Sequence, residues 1–433
     1  MIQPELKAYR RCSDRHVLVL ETNLTYVEKC QIFHYADLIR KAGNELTGIM
    51  KKRYDQLVRT KRYRKLKSLY KKYKDADNKK ALKDVCDQMK EMQKQYDVTW
   101  DYCRTSMIPI RKKYGIDAVF ALTKAEDIFH GIEKCLYSDG ETIHFKKRGD
   151  LPCIRAKQIN RGIIMKQMNF KFKNMEFGVN IKDRYEQEEV DAILYYLKNA
   201  ELMDSIVANT YKETDICVST YRPCYVSLVC KKIRSKLRVY VHITIEGLSK
   251  PKQDRFGNFK HSRGSGVVGC DIGTQTIAYT TETKAGLKNL AERGSSIEVN
   301  ERKERRIYRA MDRSRRATNP DNYNEDGTIK KGKKKWTYSN RYKKLRTKHT
   351  ELCRINATNR HLAINEDVND LRSLGDIFVT EPKNAKKLQK RAKTGKRKKR
   401  YGRSIKNRCP GYFQSQAKRK FRIYVEVPND YKA

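Results

Sequence analysis

Two acidic residues stand at the ends of short apolar runs. The stretch Gly266-Val267-Val268-Gly269-Cys270-Asp271-Ile272-Gly273-Thr274-Gln275-Thr276-Ile277-Ala278-Tyr279 reads as a β-hairpin whose first strand delivers Asp271. Gly273 permits a tight turn and close approach of a phosphate or metal. The second stretch, Leu371-Arg372-Ser373-Leu374-Gly375-Asp376-Ile377-Phe378-Val379-Thr380-Glu381-Pro382, reads as a helix end, a glycine stop and an apolar strand closing on Glu381. Two-metal phosphodiester hydrolysis needs carboxylates converging from separate strands on ions about 3.5–4 Å apart. Carboxylates are hard donors that suit magnesium. Taken alone, Asp271 also fits an ordinary hairpin turn.

A dense basic run follows Glu381. Lys386, Lys387, Lys390, Arg391, Lys393, Lys396, Arg397, Lys398, Lys399 and Arg400 crowd into 15 residues, and beside two such carboxylates they are read as neutralising phosphates. A nuclear-localisation-like or disordered tail is the plainer alternative. The whole chain shares this bias: over 433 residues, 97 Lys and Arg oppose 51 Asp and Glu, a net charge of +46. A charge of that size calls for a polyanionic partner, nucleic acid first and an anionic membrane surface second. No run of 18 apolar residues is present and residues 1–11 lack an apolar signal core, so the sequence predicts neither a spanning helix nor a secretory leader. The 12 cysteines are scattered with no Cys-x-x-Cys pair, which reads as reduced intracellular thiols and predicts no structural zinc.

The elements that must carry these residues fall into blocks. Residues 14–24 alternate as a strand, and Thr25 with Glu28 forms a capping box ahead of a helix to about residue 46. Residues 54–114 are rich in Lys, Tyr and Leu at helical spacing, giving long basic helices with a break near 75–78, read as a lobe that grips a nucleic-acid backbone. Strands are expected at 142–145, 168–173, 175–181, 216–218, 224–230 and 237–245, with a helix over 186–209. The strands near 14–24 and those of 142–246 are expected to close one β-barrel. The Gly-rich stretch from residue 250 to 266 is a linker. Helices follow at 295–316, 338–374 and 410–421, separated by a polar loop at 317–335 and ending in a strand at 423–427.

With Asp271, then a long helix, then Glu381, the chain resembles the TnpB family of transposon-encoded RNA-guided nucleases and the related compact type V CRISPR effectors. What the resemblance implies is an α+β multidomain chain: wedge-domain strands at 1–24, a helical recognition lobe at 25–138, a β-barrel wedge at 139–249, a linker at 250–266 and an RNase H-like (RuvC) α/β nuclease domain at 267–433. It further implies Asp271 and Glu381 as catalytic magnesium ligands of a two-metal site, guide RNA and target DNA as partners with no membrane, a homodimer as an open assembly, and a prokaryotic cytoplasm, on the nucleoid when DNA is bound. Where the family has Glu-Asp-Leu, this chain has Glu381-Pro382-Lys383. The family's zinc ribbon and third catalytic Asp would follow residue 427, so the nuclease domain is expected to be incomplete at its C-terminus and cleavage weak. Asp430 is the remaining late candidate, while Asp367 and Asp370 are expected to face solvent. The competing readings are a non-catalytic RNA- or DNA-binding relative and an RNase H-like transposase.

Overall fold

Helix signals along residues 25–137 decide the first half of the chain. In the computed structural model, which describes residues 15–138, 140, 142–203, 205, 220–247, 250, 252–254, 256–290, 292, 295–382 and 402–427, strand β1 (Arg15–Thr22) runs into helix α1 (Tyr26–Arg59) through a capping box. Glu28 N–H donates to Thr25 Oγ1 at 3.3 Å, and Thr25 N–H donates to the Glu28 carboxylate at 2.8 Å. Side chains cap the following helices in the same way: Thr60 for α2 (Lys61–Asp75), Asn78 for α3 (Lys79–Gln95) and Thr99 for α4 (Trp100–Tyr114). Helix α5 (Ala118–Tyr137) completes this block.

Short strands follow: β2 (Ile154–Arg155), β3 (Ile163–Lys166), β4 (Asn169–Phe172), β5 (Met175–Phe177) and β6 (Val179–Asn180). Helix α6 (Arg184–Lys198) and the hairpin β7 (Arg222–Ile233) and β8 (Lys236–Glu246) close the first unit, Ser13–Lys250. Its strands form a five-stranded sheet, β2-β7-β8-β1-β6, and a separate three-stranded sheet, β3-β4-β5. Among the described residues this replaces the single closed barrel expected from the sequence. Strands β3 to β5 pair only with one another in consecutive hairpins, and the larger sheet has two edges, β2 and β6. Residues 142–145 are not a strand. Their neighbour Lys146 instead bonds Asn44 of α1 through both its N–H and its carbonyl, at 2.8 Å each. Sheets and helices of this unit share one apolar core, in which Ile32, Ile39 and Phe120 of the helices meet Phe172, Leu228 and Ile243 of the strands.

The second unit contains Pro251–Ala433. Strands β9 (Val267–Ile272), β10 (Thr276–Thr280) and β11 (Ala285–Asn289) form an antiparallel meander. Helix α7 (Ser295–Thr318), a 3₁₀ turn at Pro320–Asn322 and the long helix α8 (Asn340–Arg372) lead to β12 (Ile377–Thr380). Helices α9 (Gly402–Arg408) and α10 (Pro410–Lys420) precede β13 (Ile423–Glu426). The sheet order is β11-β10-β9-β12-β13, mixed, with β12 parallel to both β9 and β13. One face is covered by α8 and α10: Val268, Cys270, Ile272, Ile277 and Phe378 pack against Ile364, Val368, Leu371, Phe413 and Phe421. The chain is thus mixed α+β throughout.

Candidate active site

The site is built from the starts of two parallel strands. Arg372, at the end of α8, donates to Gly264 O at 2.8 Å and Gly375 O at 3.0 Å. Gly266 O accepts from the backbone N–H groups of Asp376 and Ile377 at 3.0 and 3.1 Å. The Asp376 carboxylate accepts from Gly266 N–H at 3.2 Å and from Arg422 Nε. Burial pushes the Asp376 carboxyl up, but the Arg422 and Gly266 donors outweigh it and hold the group below its usual range. Gly375 is needed because a Cβ there would meet Gly266 O at 2.6 Å and Val268 Cγ2 at 2.7 Å. Backbone contacts this close leave one register available.

That register is carried up the strands. Val267 lies beside Ile377, Val268 beside Phe378, Gly269 beside Val379 and Cys270 beside Thr380. One step further the chains reach Asp271 and Glu381. Parallel neighbours in register share a face of the sheet, about 4.8 Å apart. Val268, Cys270, Phe378 and Thr380 are buried under the helices, so alternation sends Asp271 to the other face, while Glu381 follows directly on the last residue of β12. Asp271 is exposed there and Glu381 is half-buried. Along that face Val267 is 41% and Leu287 67% exposed, so among the described residues it is largely uncovered. The turn after Asp271 is closed by Gly273 N–H donating to Thr276 O at 2.9 Å, where a Cβ on residue 273 would meet that same oxygen at 2.8 Å. The Cys270 thiol next door is pushed up to about 12 by burial and by the Asp271 charge, which makes it a neutral core group and not a nucleophile.

The other acidic groups of this unit lie elsewhere. Asp367 does not face solvent as expected. It is 5% exposed on the α8 face that packs on the sheet, with Lys288 Nζ of β11 at 3.9 Å from it and 2.7 Å from Asp370. Lys288 pairs with Ile277 and Ile277 with Ile272, which places it on the covered face, opposite Asp271. Glu426, beside Thr380 in β13, is held by Lys418 at 2.7 Å. The basic residues Lys386, Lys387, Lys390, Arg391, Lys393, Lys396, Arg397, Lys398, Lys399 and Arg400, and Asp430, lie outside the described residues.

Asp271 and Glu381 are hard carboxylate donors of the kind a divalent cation takes, each one residue beyond the Cys270–Thr380 pair. Among the described residues no third His, Cys, Asp or Glu donor clusters with them. The three-donor group that could hold a metal ion is Glu304, His349 and Cys353, on α7 and α8. Sequence reading passed over that group because it looked for Cys-x-x-Cys. The signal was His349 and Cys353, four residues apart on one helix. It also passed over the Arg372–Asp376–Arg422 clamp, whose partners are distant in sequence.

No family model matches the chain, and no curated protein matches it. Among solved structures, a cryo-EM structure of a Cas12f1–sgRNA–target DNA complex aligns over 97% of this chain and 90% of that one, at 9% identity and a TM-score of 0.40. No described helix is long and apolar enough to cross a membrane.

Proposed function

We propose that this chain is an RNA-guided DNA endonuclease of the TnpB-like class, with Asp271 and Glu381 as the acidic pair of a RuvC-like, RNase H-like site. The observation that supports it most is the β9–β12 register, whose last pair, Cys270 and Thr380, immediately precedes these two carboxylates. Asp271 and Glu381 would hold magnesium, and the ion, when bound, offsets charge on the phosphoryl oxygens of the scissile bond. The residues of the chain itself do the positioning: the Arg372–Asp376–Gly266 clamp fixes the register that sets the pair side by side, and Gly273 keeps the turn beside Asp271 free of a side chain. Guide RNA and target DNA are the partners, held largely through their backbones by the +46 charge, while base pairing reads the sequence.

The test is cleavage of a target matched to the RNA that co-purifies with the full chain, with magnesium present. Asp271→Ala and Glu381→Ala are each expected to lower the rate on the order of 10²–10³-fold, the equivalent of several kcal/mol of barrier, with RNA binding retained. A second reading, a binding protein without cleavage, is favoured by the lack of a third carboxylate beside this pair among the described residues. It predicts guided binding of the matched target and no magnesium-dependent product from wild type or variants.

A further inference from the structure

We propose that Glu304, His349 and Cys353 form a binding site for a zinc-class divalent ion that cross-links helices α7 and α8. Their donor atoms already make a compact triangle. His349 Nε2 is 3.4 Å from Glu304 Oε1, Cys353 Sγ is 3.7 Å from the same oxygen, and Sγ is 3.8 Å from Nε2. Around a tetrahedral ion with bonds of roughly 2.0–2.3 Å, donors stand about 3.3–3.7 Å apart. The donor spacings therefore match those around such an ion, although Sγ also lies 3.9 Å from His349 Nδ1, so the imidazole would turn to aim Nε2 at it. The donor set selects the metal: thiolate and imidazole favour zinc over magnesium or calcium, which take oxygen ligands. The backbone supports the arrangement, since His349 and Cys353 lie at i and i+4 and project from one face of α8. The Glu304 and His349 side chains are each 23% exposed, leaving solvent access for a water in the fourth position.

The location gives the ion something to do. On α7 the buried side chains are Ile297 and Met311, and on α8 all buried residues fall from Asn356 onward. At the level of Cys353 the two helices therefore meet through polar groups. One layer inward, Asn300 donates to Asn356 at 2.8 Å. Around this polar layer the apolar side chains Ile307, Leu345, Leu352 and Ile355 are only half-buried, and a metal bridge would add a link there. This site lies on different residues from the Asp271–Glu381 pair and does not depend on the nuclease reading.

The experiment uses the metal-stripped full chain titrated with cobalt(II) and with zinc alone. Cobalt is expected to produce a thiolate-to-metal charge-transfer band, and zinc to displace it and raise the melting temperature. Excess magnesium should do neither. Cys353→Ser should abolish the band and weaken zinc binding by more than about 100-fold, because even outer partners of a metal are worth roughly 10–100-fold. Should Cys353→Ser fail to fold, His349→Gln carries the same expectation for zinc affinity. Wild-type protein that gives no cobalt band, or zinc binding that persists unchanged in the folded variants, overturns the proposal.

Discussion

His242 shows how a single side chain makes stability depend on pH. It sits on β8, its Nε2 has no hydrogen-bond partner among the described residues, and burial, helped by the Lys231 charge, pushes its pKa down to about 4. The unfolded ring titrates near 6.5. Between those values the unfolded chain binds the extra proton, so the stability present above pH 6.5 is lost as pH falls towards 4. Urea unfolding at pH 5 is expected to show a loss of about 1–2 kcal/mol relative to pH 7, allowing for partial screening, and His242→Gln should remove most of that difference. Residue-level chemistry was legible where it followed from local pattern. The apolar runs that carry Asp271 and lead to Glu381 are strands in the structure, as their pattern says. Asp367 was misread because its burial depends on Lys288 arriving from β11, and Ala285-Gly286-Leu287-Lys288-Asn289 carries too little apolar alternation to announce a strand.

Elements were legible where their ends are signalled. The capping box at Thr25 is visible in the sequence and is formed in the structure, so Thr25→Ala should cost about 1 kcal/mol and show as a lower thermal midpoint. Helix α1 runs on to Arg59, beyond the expected end near residue 46, because no glycine or proline interrupts it after Gly48 and the next cap is Thr60. The break between α2 and α3 appears where Asp75–Asn78 suggested it. Short pieces were harder: residues 142–145 alternate like a strand but form none, and the next residue, Lys146, is tied to Asn44 of α1. In the second unit the decisive element is the β9–β12 pair. Gly375→Ala would push a Cβ into Gly266 O and Val268, and is expected to destabilise the fold by about 1–3 kcal/mol in chemical denaturation while also lowering cleavage through the displaced strand ends.

At the scale of the whole molecule, charge dominates. With +46 spread over 433 residues, nucleic-acid affinity should fall by roughly 10³–10⁵ between about 50 and 200 mM salt if 6–10 phosphates are neutralised. A filter-binding titration with a flat salt response would remove the electrostatic basis of the proposed function. Composition gives the charge directly, whereas the split of the first unit's strands into two sheets was beyond its reach, since pairing between distant strands leaves no mark on local sequence. Among the described residues the most distant pairing is that of β1 with β8, where Arg15 lies opposite Glu246 and His16 bonds Gly247 O across 231 residues. This has a consequence in time. On a ribosome adding about 5–20 residues per second, β1 emerges and then waits roughly 10–45 s for its partner to be made. Through that interval β1 can pair only at its end, where Glu21 and Thr22 lie beside β6, and Leu18 and Leu20, fully or nearly buried in the finished protein, lack their neighbours in β8. Among the described residues the first strand to be synthesised is therefore among the last to be fully paired, and until then its β8 edge stays open to a wrong neighbour.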